Sequence, residues 1–523
     1  MRIARLESSV RALVIASVLP LLAVSCSSEG LTFPPTPPPA GAAAGQVAGA
    51  ASGGTVSLPF AGTGTTPMMG PPVGTAGIAA VAGSGGARAG TEAVGAGASG
   101  SPLAGAGAGA GATGGGTYPL NLTGPKTVAG FMNLAPPMGM PLPEAGKMLT
   151  PPPPAGWVYH EIAGSICRDG SPAGFFVHKG TVPRLMIFLE GGGACMNDHL
   201  CAFNQKNVNE SFAGDGLTLL NSTLGTVQDR QQPGVFSQQD HKGQPAGLFD
   251  LENPMNPMKG WSEIYVPYCS GDVHFGTKKN GSVQGLSNQQ FLGYENMKLF
   301  ISRIVPSFPG LEHVVLAGSS AGSIAAMLNV SMVQDAFGSV QVDVIADSGL
   351  PLRDKYWPVC LQKRYRESWG LDGALPPDCE GCKQADGGGL VTGLAEYYHK
   401  KHPDTHFAAI SRTEDEIMRL FFSGGLNDCA NYDTLDPVAI VISNVLDPSV
   451  LYPGPQYTEA LLDFRDYAKS VGLPAASFLV GPPNQNYHQI IFRPDFYTLK
   501  VGGKTAADFI RDFLNGVLDE IQP

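Results

Sequence analysis

Ser320 stands in Gly318-Ser-Ser-Ala-Gly322, directly after the apolar run 314–317 and ahead of Ala321, Ile324, Ala325 and Leu328, which recur at helical spacing. A strand that turns through small residues into a helix at a serine is the setting of a nucleophile elbow, where the hydroxyl projects from the edge of a sheet. Gly318 and Gly322 let strand and helix approach closely around a strained backbone. Such a serine attacks a carbonyl carbon to form an acyl-enzyme, and it needs a base to take its proton as the bond forms. The bare pattern arises often by chance in a chain with 69 glycines, so its weight comes from the strand and helix around it. A second run, Glu190-Gly-Gly-Gly193, follows the apolar stretch 185–189 directly. It lacks G-x-G-x-x-G and no P-loop lysine follows, which disfavours a cofactor-phosphate loop. Backbone N–H groups in such a loop can instead converge on a developing oxyanion.

The elements that must hold these residues follow from the apolar pattern. Strands are expected at 185–189, 264–267, 314–317, 342–346, 407–410 and 477–480, and helices at 322–337, 414–422, 459–470 and 504–518. Short buried strands separated by helices predict an α/β protein with a mostly parallel sheet.

Upstream, Arg2, Arg5 and Arg11 precede the apolar run 12–24, which stops at Ser25-Cys26. The run is short for a bilayer span of about 20 residues and reads as a lipoprotein-type export segment over 1–26, with Cys26 as the lipid-bearing N-terminus. Plain secretion with an incidental cysteine is the alternative. Residues 27–117 are mostly glycine, alanine, proline, serine and threonine. Ordering them costs about 1–2 kcal/mol per residue with little apolar area to offset it, so a disordered tether is expected. Residues 118–156, with scattered Phe131, Leu134 and Leu142, read as an extended arm, and 157–523 as one large domain. A net charge of −11 without a basic stripe argues against a nucleic-acid partner, and the N-terminal lipid is the one membrane link expected. Apart from Cys26 there are eight cysteines, an even number that suits disulfides in an exported chain. Cys379-x-x-Cys382 has zinc-ligand spacing, but no second close pair completes a site, so neither metal nor cofactor is expected.

Several blocks occur together in order: Cys167-Arg-Asp-Gly-Ser-Pro-Ala-Gly-Phe175, Phe188-Leu-Glu-Gly-Gly-Gly-Ala-Cys195, Val266-Pro-Tyr-Cys-Ser-Gly-Asp272, the elbow, and Ala346-Asp-Ser-Gly349. Together they resemble the pectin acetylesterase and Notum-like carboxylesterases of the α/β-hydrolase superfamily. The resemblance implies an α/β-hydrolase fold, a mostly parallel central sheet with helices on both faces, and a triad in the chain order serine, acid, histidine. Ser320 is then the nucleophile. His488 is the expected base, since it lies beyond 477–480 and before the last helix, whereas the other nine histidines precede the elbow or precede or enter a strand. Asp415, soon after 407–410, is the expected acid; Glu414 and Glu416 are alternatives, with Asp415 then capping the following helix. Asp347 is a further candidate, read as support for the site. The oxyanion hole is expected at the backbone N–H groups of Gly192, Gly193 and Ala321. The family blocks also imply the disulfides Cys167–Cys269 and Cys195–Cys201, leaving Cys360, Cys379, Cys382 and Cys429 unassigned. Ala194 stands where many members carry an aromatic residue, usually tryptophan, so one pocket wall is expected to lack its ring. The implied activity is serine ester hydrolysis, with an acetylated polysaccharide such as pectin as the first substrate and a lipid or other acyl ester as the second. A non-catalytic, lipid-anchored module that binds carbohydrate or protein is the reading of a different class.

Overall fold

The apolar runs assemble into one nine-stranded sheet in the computed structural model, which describes residues 116–117, 144, 146–149, 157–208, 247–436, 450–485 and 487–523. Its strands are β1 (Trp157–Ile166), β2 (Pro172–His178), β3 (Arg184–Leu189), β4 (Ser262–Val266), β5 (His313–Ser319), β6 (Gln341–Asp347), β7 (Phe407–Arg412), β8 (Ala475–Val480) and β9 (Glu520–Ile521). They lie in the order β9-β8-β7-β6-β5-β3-β4-β2-β1. β2 runs antiparallel to both its neighbours, and every other pairing is parallel. This mixed, mostly parallel sheet with flanking helices is an α/β-hydrolase fold.

Every residue of β5 and β6 is buried, so neither strand shows a polar face in its sequence. Parallel neighbours need crossovers, and helices supply them. α1 (Asp198–Phe203) and α2 (Gly293–Ser307) flank β4, and α3 (Ala321–Phe337) joins β5 to β6 and packs on both. α4 (Val359–Trp369) and α5 (Leu390–Lys401) lie between β6 and β7, followed by α6 (Glu416–Phe422), α7 (Gly454–Ser470) and α8 (Ala506–Phe513). Because the strands from β3 onward are parallel, the residues just past Leu189, Ser319, Asp347, Arg412 and Val480 emerge along one edge. In open α/β sheets that carboxyl edge is where ligands bind.

The last helix is shorter than the span 504–518. It starts after Thr505, whose hydroxyl and the Asp508 carboxylate cap each other's backbone, and ends at Phe513. Gly516, at φ 80°, then turns the chain into a short strand, Val517–Leu518, antiparallel to Gly116–Thr117. Beyond the apolar runs lie β1, β2, β9 and a separate hairpin of Lys278–Val283 with Leu286–Phe291. Arg303 of α2 pins the upstream arm by donating to the carbonyls of Lys147 (2.8 Å) and Met148 (3.2 Å) and pairing with Glu144. Of the tether read over 27–117 only the last two residues are described. The export segment 1–26 with Cys26, and most of the arm 118–156, lie outside the described residues.

Disulfides join Cys167–Cys269, Cys195–Cys201, Cys360–Cys429 and Cys379–Cys382. The pair with zinc-ligand spacing is thus bonded to itself.

Candidate functional site

Ser320 has φ 58° and ψ −125°, a conformation costly for any residue with a side chain and held by its surroundings. Its N–H donates to the Asp347 carbonyl at 2.8 Å. The need for glycine around it is steric. A Cβ on Gly318 would lie 2.0 Å from the Gly322 carbonyl oxygen, one on Gly322 1.9 Å from that of Leu189, and one on Gly349 2.1 Å from that of Ser320. The elbow is therefore clamped between the ends of β3 and β6.

His488 and Asp415 are brought together. His488 Nδ1 lies 2.7 and 2.9 Å from the two oxygens of the fully buried Asp415 carboxylate. A carboxylate accepts, so Nδ1 carries the proton and Nε2 is left as the acceptor. That Nε2 is buried and has no hydrogen-bond partner among the described residues, Ser320 included. Asp415 is also the N-cap of α6, accepting from the N–H groups of Ile417 (3.1 Å) and Met418 (3.0 Å). Capping and pairing with histidine were alternatives in the sequence; one residue does both, and Glu414 and Glu416 stand only partly buried beside it. Asp347 has a different place. Its carboxylate accepts from the N–H groups of Ile490 (3.0 Å) and Ile491 (3.2 Å) and from the hydroxyls of Ser319 and Ser348 (3.0 Å each). Gln489 N–H donates to Ser348 Oγ at 3.0 Å. One buried aspartate thus ties the segment after His488 to the residue before Ser320. Burial raises its pKa and those hydrogen bonds counter the rise.

The glycine loop is pinned on several sides. His274 Nε2 lies 2.9 Å from the Glu190 carbonyl, which can only accept, so the proton is on Nε2. Burial lowers the His274 pKa to about 4, leaving the ring neutral near pH 7. Tyr268 N–H donates to the Glu190 carboxylate and Asn204 to the Gly192 carbonyl, both at 2.8 Å. Gly193, at φ 78°, faces the Phe421 ring, and a Cβ there would sit 3.0 Å from it. Cys195–Cys201 closes the loop that follows.

Gly193, Ala194, Ser320 and Ala321 open on an apolar pocket. Ala194 lines the pocket, but Trp357, Tyr365, Trp369 and Phe421 do so as well. Tyr365 and Trp369 stack at 4.4 Å, and Trp369 Nε1 donates to the Cys195 carbonyl at 2.9 Å, one residue past Ala194. Sequence reading missed these aromatics, since nothing in the chain between β6 and β7, or in α6, marks which rings face the serine. Asp347 as an anchor was signalled only by its place in the Ala346-Asp-Ser-Gly349 block.

The sequence model of the pectinacetylesterase family matches residues 157–382, a span that holds the glycine loop and Ser320 and ends before Asp415. Over that span the chain is similar to the pectinacetylesterases. Among curated relatives, palmitoleoyl-protein carboxylesterase notum1' of Xenopus laevis is 30% identical over 206 residues, 36% of this chain and 36% of its own. Palmitoleoyl-protein carboxylesterase NOTUM of Homo sapiens is 29% identical over 204 residues, 36% of this chain and 35% of its own. The Drosophila melanogaster protein of that name is 28% identical over 228 residues, 41% of this chain and 31% of its own. The matched part of this chain spans about a third of the length of these relatives.

Proposed function

We propose that this protein is a serine carboxylic-ester hydrolase. Ser320 attacks the ester carbonyl, His488 takes the serine proton on Nε2 and returns it to the departing alcohol, and Asp415 holds the imidazole tautomer and stabilises its charged form. Water, activated by the same imidazole, then releases the acid. The pairing of Asp415 with His488 carries this reading, because it leaves a buried acceptor nitrogen on the sheet edge that also bears a strained elbow serine. The bond from Ser320 to that nitrogen is expected to form once substrate is seated, as catalytic bonds are often long in empty sites. The backbone N–H groups of Gly192, Gly193 and Ala321 are the donors assigned to the oxyanion, with Ala321 opening α3.

The substrate reading favoured by the geometry is an ester with an apolar acyl chain. The pocket is lined almost wholly by apolar groups, four of them aromatic rings, a lining that suits an alkyl chain. Deacetylation of a polysaccharide such as pectin is the second reading, supported by the family match over residues 157–382. Export, with a lipid on Cys26, belongs to the proposal too; four disulfides suit an oxidising compartment.

The test combines labelling with turnover. An organophosphonate is expected to modify Ser320 stoichiometrically, and p-nitrophenyl esters of rising chain length, acetylated pectin and acetylated xylan then rank the acyl groups. Labelling elsewhere, or ester hydrolysis equal in wild type and folded Ser320→Ala, would overturn the hydrolase reading in favour of a binding module.

A further inference from the structure

A second, smaller apolar cavity adjoins the pocket beside Ser320, lined by Leu328, Val391, Leu394, Tyr398 and Phe464 among others. The two spaces share one residue, Leu328. It lies two turns along α3 from the elbow, on the stripe of Ser320, Ile324 and Leu328 at i, i+4 and i+8, all three of which line the first pocket. α5 divides the same way: Leu390 faces the first pocket and its neighbour Val391 the second cavity. Tyr398 in the second lining spends its hydroxyl on the Leu328 carbonyl at 3.1 Å. That bond holds the helix backbone, so the Leu328 side chain can change without dragging the main chain. The remaining lining of the second cavity is apolar, hydrocarbon apart from the Met327 thioether, and suits an alkyl chain.

We propose that Leu328 is the partition that sets the longest acyl chain this site accepts, and that the cavity behind it is the space a longer chain enters when the partition is cut back. This rests on reading Ser320 as a nucleophile that faces an acyl pocket. An acyl group bound to Ser320 runs along the helix stripe past Ile324 and stops at the Leu328 methyl groups. Each further methylene would need either a turned Leu328 rotamer or an exposed chain end, and both oppose binding.

The experiment measures kcat/KM for p-nitrophenyl esters from butyrate to palmitate with the full chain, its Leu328→Ala and Leu328→Phe variants, and Leu328→Ala combined with Leu394→Phe, which refills only the second cavity. Leu328→Ala is expected to raise the long-to-short ester ratio at least about tenfold. Leu328→Phe is expected to shift the preference toward shorter chains, and Leu394→Phe to cancel the gain. An unchanged ratio in folded Leu328→Ala, or a gain that survives the refilled cavity, overturns the partition. Should Leu328→Ala fail to fold by circular dichroism, an unshifted profile in Leu328→Phe overturns it equally. Ser320→Ala is assayed alongside: hydrolysis that persists there refutes the catalytic reading itself, whereas lost hydrolysis with unmoved chain-length profiles refutes only the partition.

Discussion

His488 donates from Nδ1 to the Asp415 carboxylate at 2.7 Å, while the other carboxylate oxygen accepts from the N–H groups of Ile417 and Met418. The tautomer that the proposed reaction needs and a helix start therefore depend on one buried side chain, and substitution can separate them. Asp415→Asn keeps a good N-cap but loses the charge and offers an amide that supports the wrong tautomer. It is expected to lower kcat by about 10⁴-fold with little change in melting temperature. Asp415→Ala is expected to cost about 1 kcal/mol of stability in addition, from the lost cap. Steady-state kinetics with thermal melts check both, and near-normal kcat in Asp415→Asn would transfer the role to another acid.

Asp347→Asn is expected to behave differently. Its carboxylate gathers four donors, two of them from the segment after His488, and an amide nitrogen in place of one oxygen meets N–H or O–H groups head on. Stability and activity should fall together, by about 1.5–3 kcal/mol for the former. Urea denaturation would show it; a variant as stable as wild type would mean that Asp347 does not anchor the histidine segment.

Glu263 gives a pH dependence of stability. It is fully buried on β4, neither carboxylate oxygen has a hydrogen-bond partner among the described residues, and burial holds its pKa well above the ordinary value of 4.5. Above 4.5 the unfolded chain loses this proton while the folded protein keeps it, so the native state binds more protons and stability falls as pH rises. Glu263→Gln removes that slope. Its melting temperature is expected to decline less than that of wild type between about pH 5 and about pH 8, and parallel declines would contradict the assignment.

Trp369→Phe keeps the stacking surface against Tyr365 and deletes the donor to the Cys195 carbonyl. Leaving that buried carbonyl unmet is expected to cost about 1–3 kcal/mol and to alter chain-length preference more than kcat on a short ester. Melts and an ester series measure the two effects, and a neutral variant would show that the ring, not its N–H, shapes this wall.

Legibility in the sequence followed the range of the interactions. The elbow could be read because its demands are local: Gly318 and Gly322 meet each other across four residues, and the β5 run leads straight into Ser320. The acid was ambiguous because Glu414, Asp415 and Glu416 differ only in which way a side chain leaves the end of β7, and a bond to a residue 73 positions away decides that. The anchoring by Asp347 is set over 143 and 144 positions, and its one local mark is the Ala346-Asp-Ser-Gly349 block. β1 escaped notice for another reason. It is half-exposed, and its pairing with β2 shifts register between Glu161 and Ile166, so neither a continuous apolar run nor a clean alternation appears. The final helix was overdrawn because apolar residues continue past Phe513 into Val517–Leu518, which pair as strand instead.

The chain between β6 and β7 contributes Trp357, Tyr365, Trp369, Leu371 and Leu390 to the pocket, and none of Ser320, Asp415 or His488. It is stapled within itself by Cys379–Cys382 and to the stretch after α6 by Cys360–Cys429. Three of the four rings that line the pocket thus come from a passage that holds none of the assigned triad residues, while Ile324 and Leu328 of α3 and Phe421 of α6 complete the wall. Under the proposed reaction, exchanging that passage between relatives is expected to redraw three of the pocket's four rings while Ser320, Asp415 and His488 stay in place.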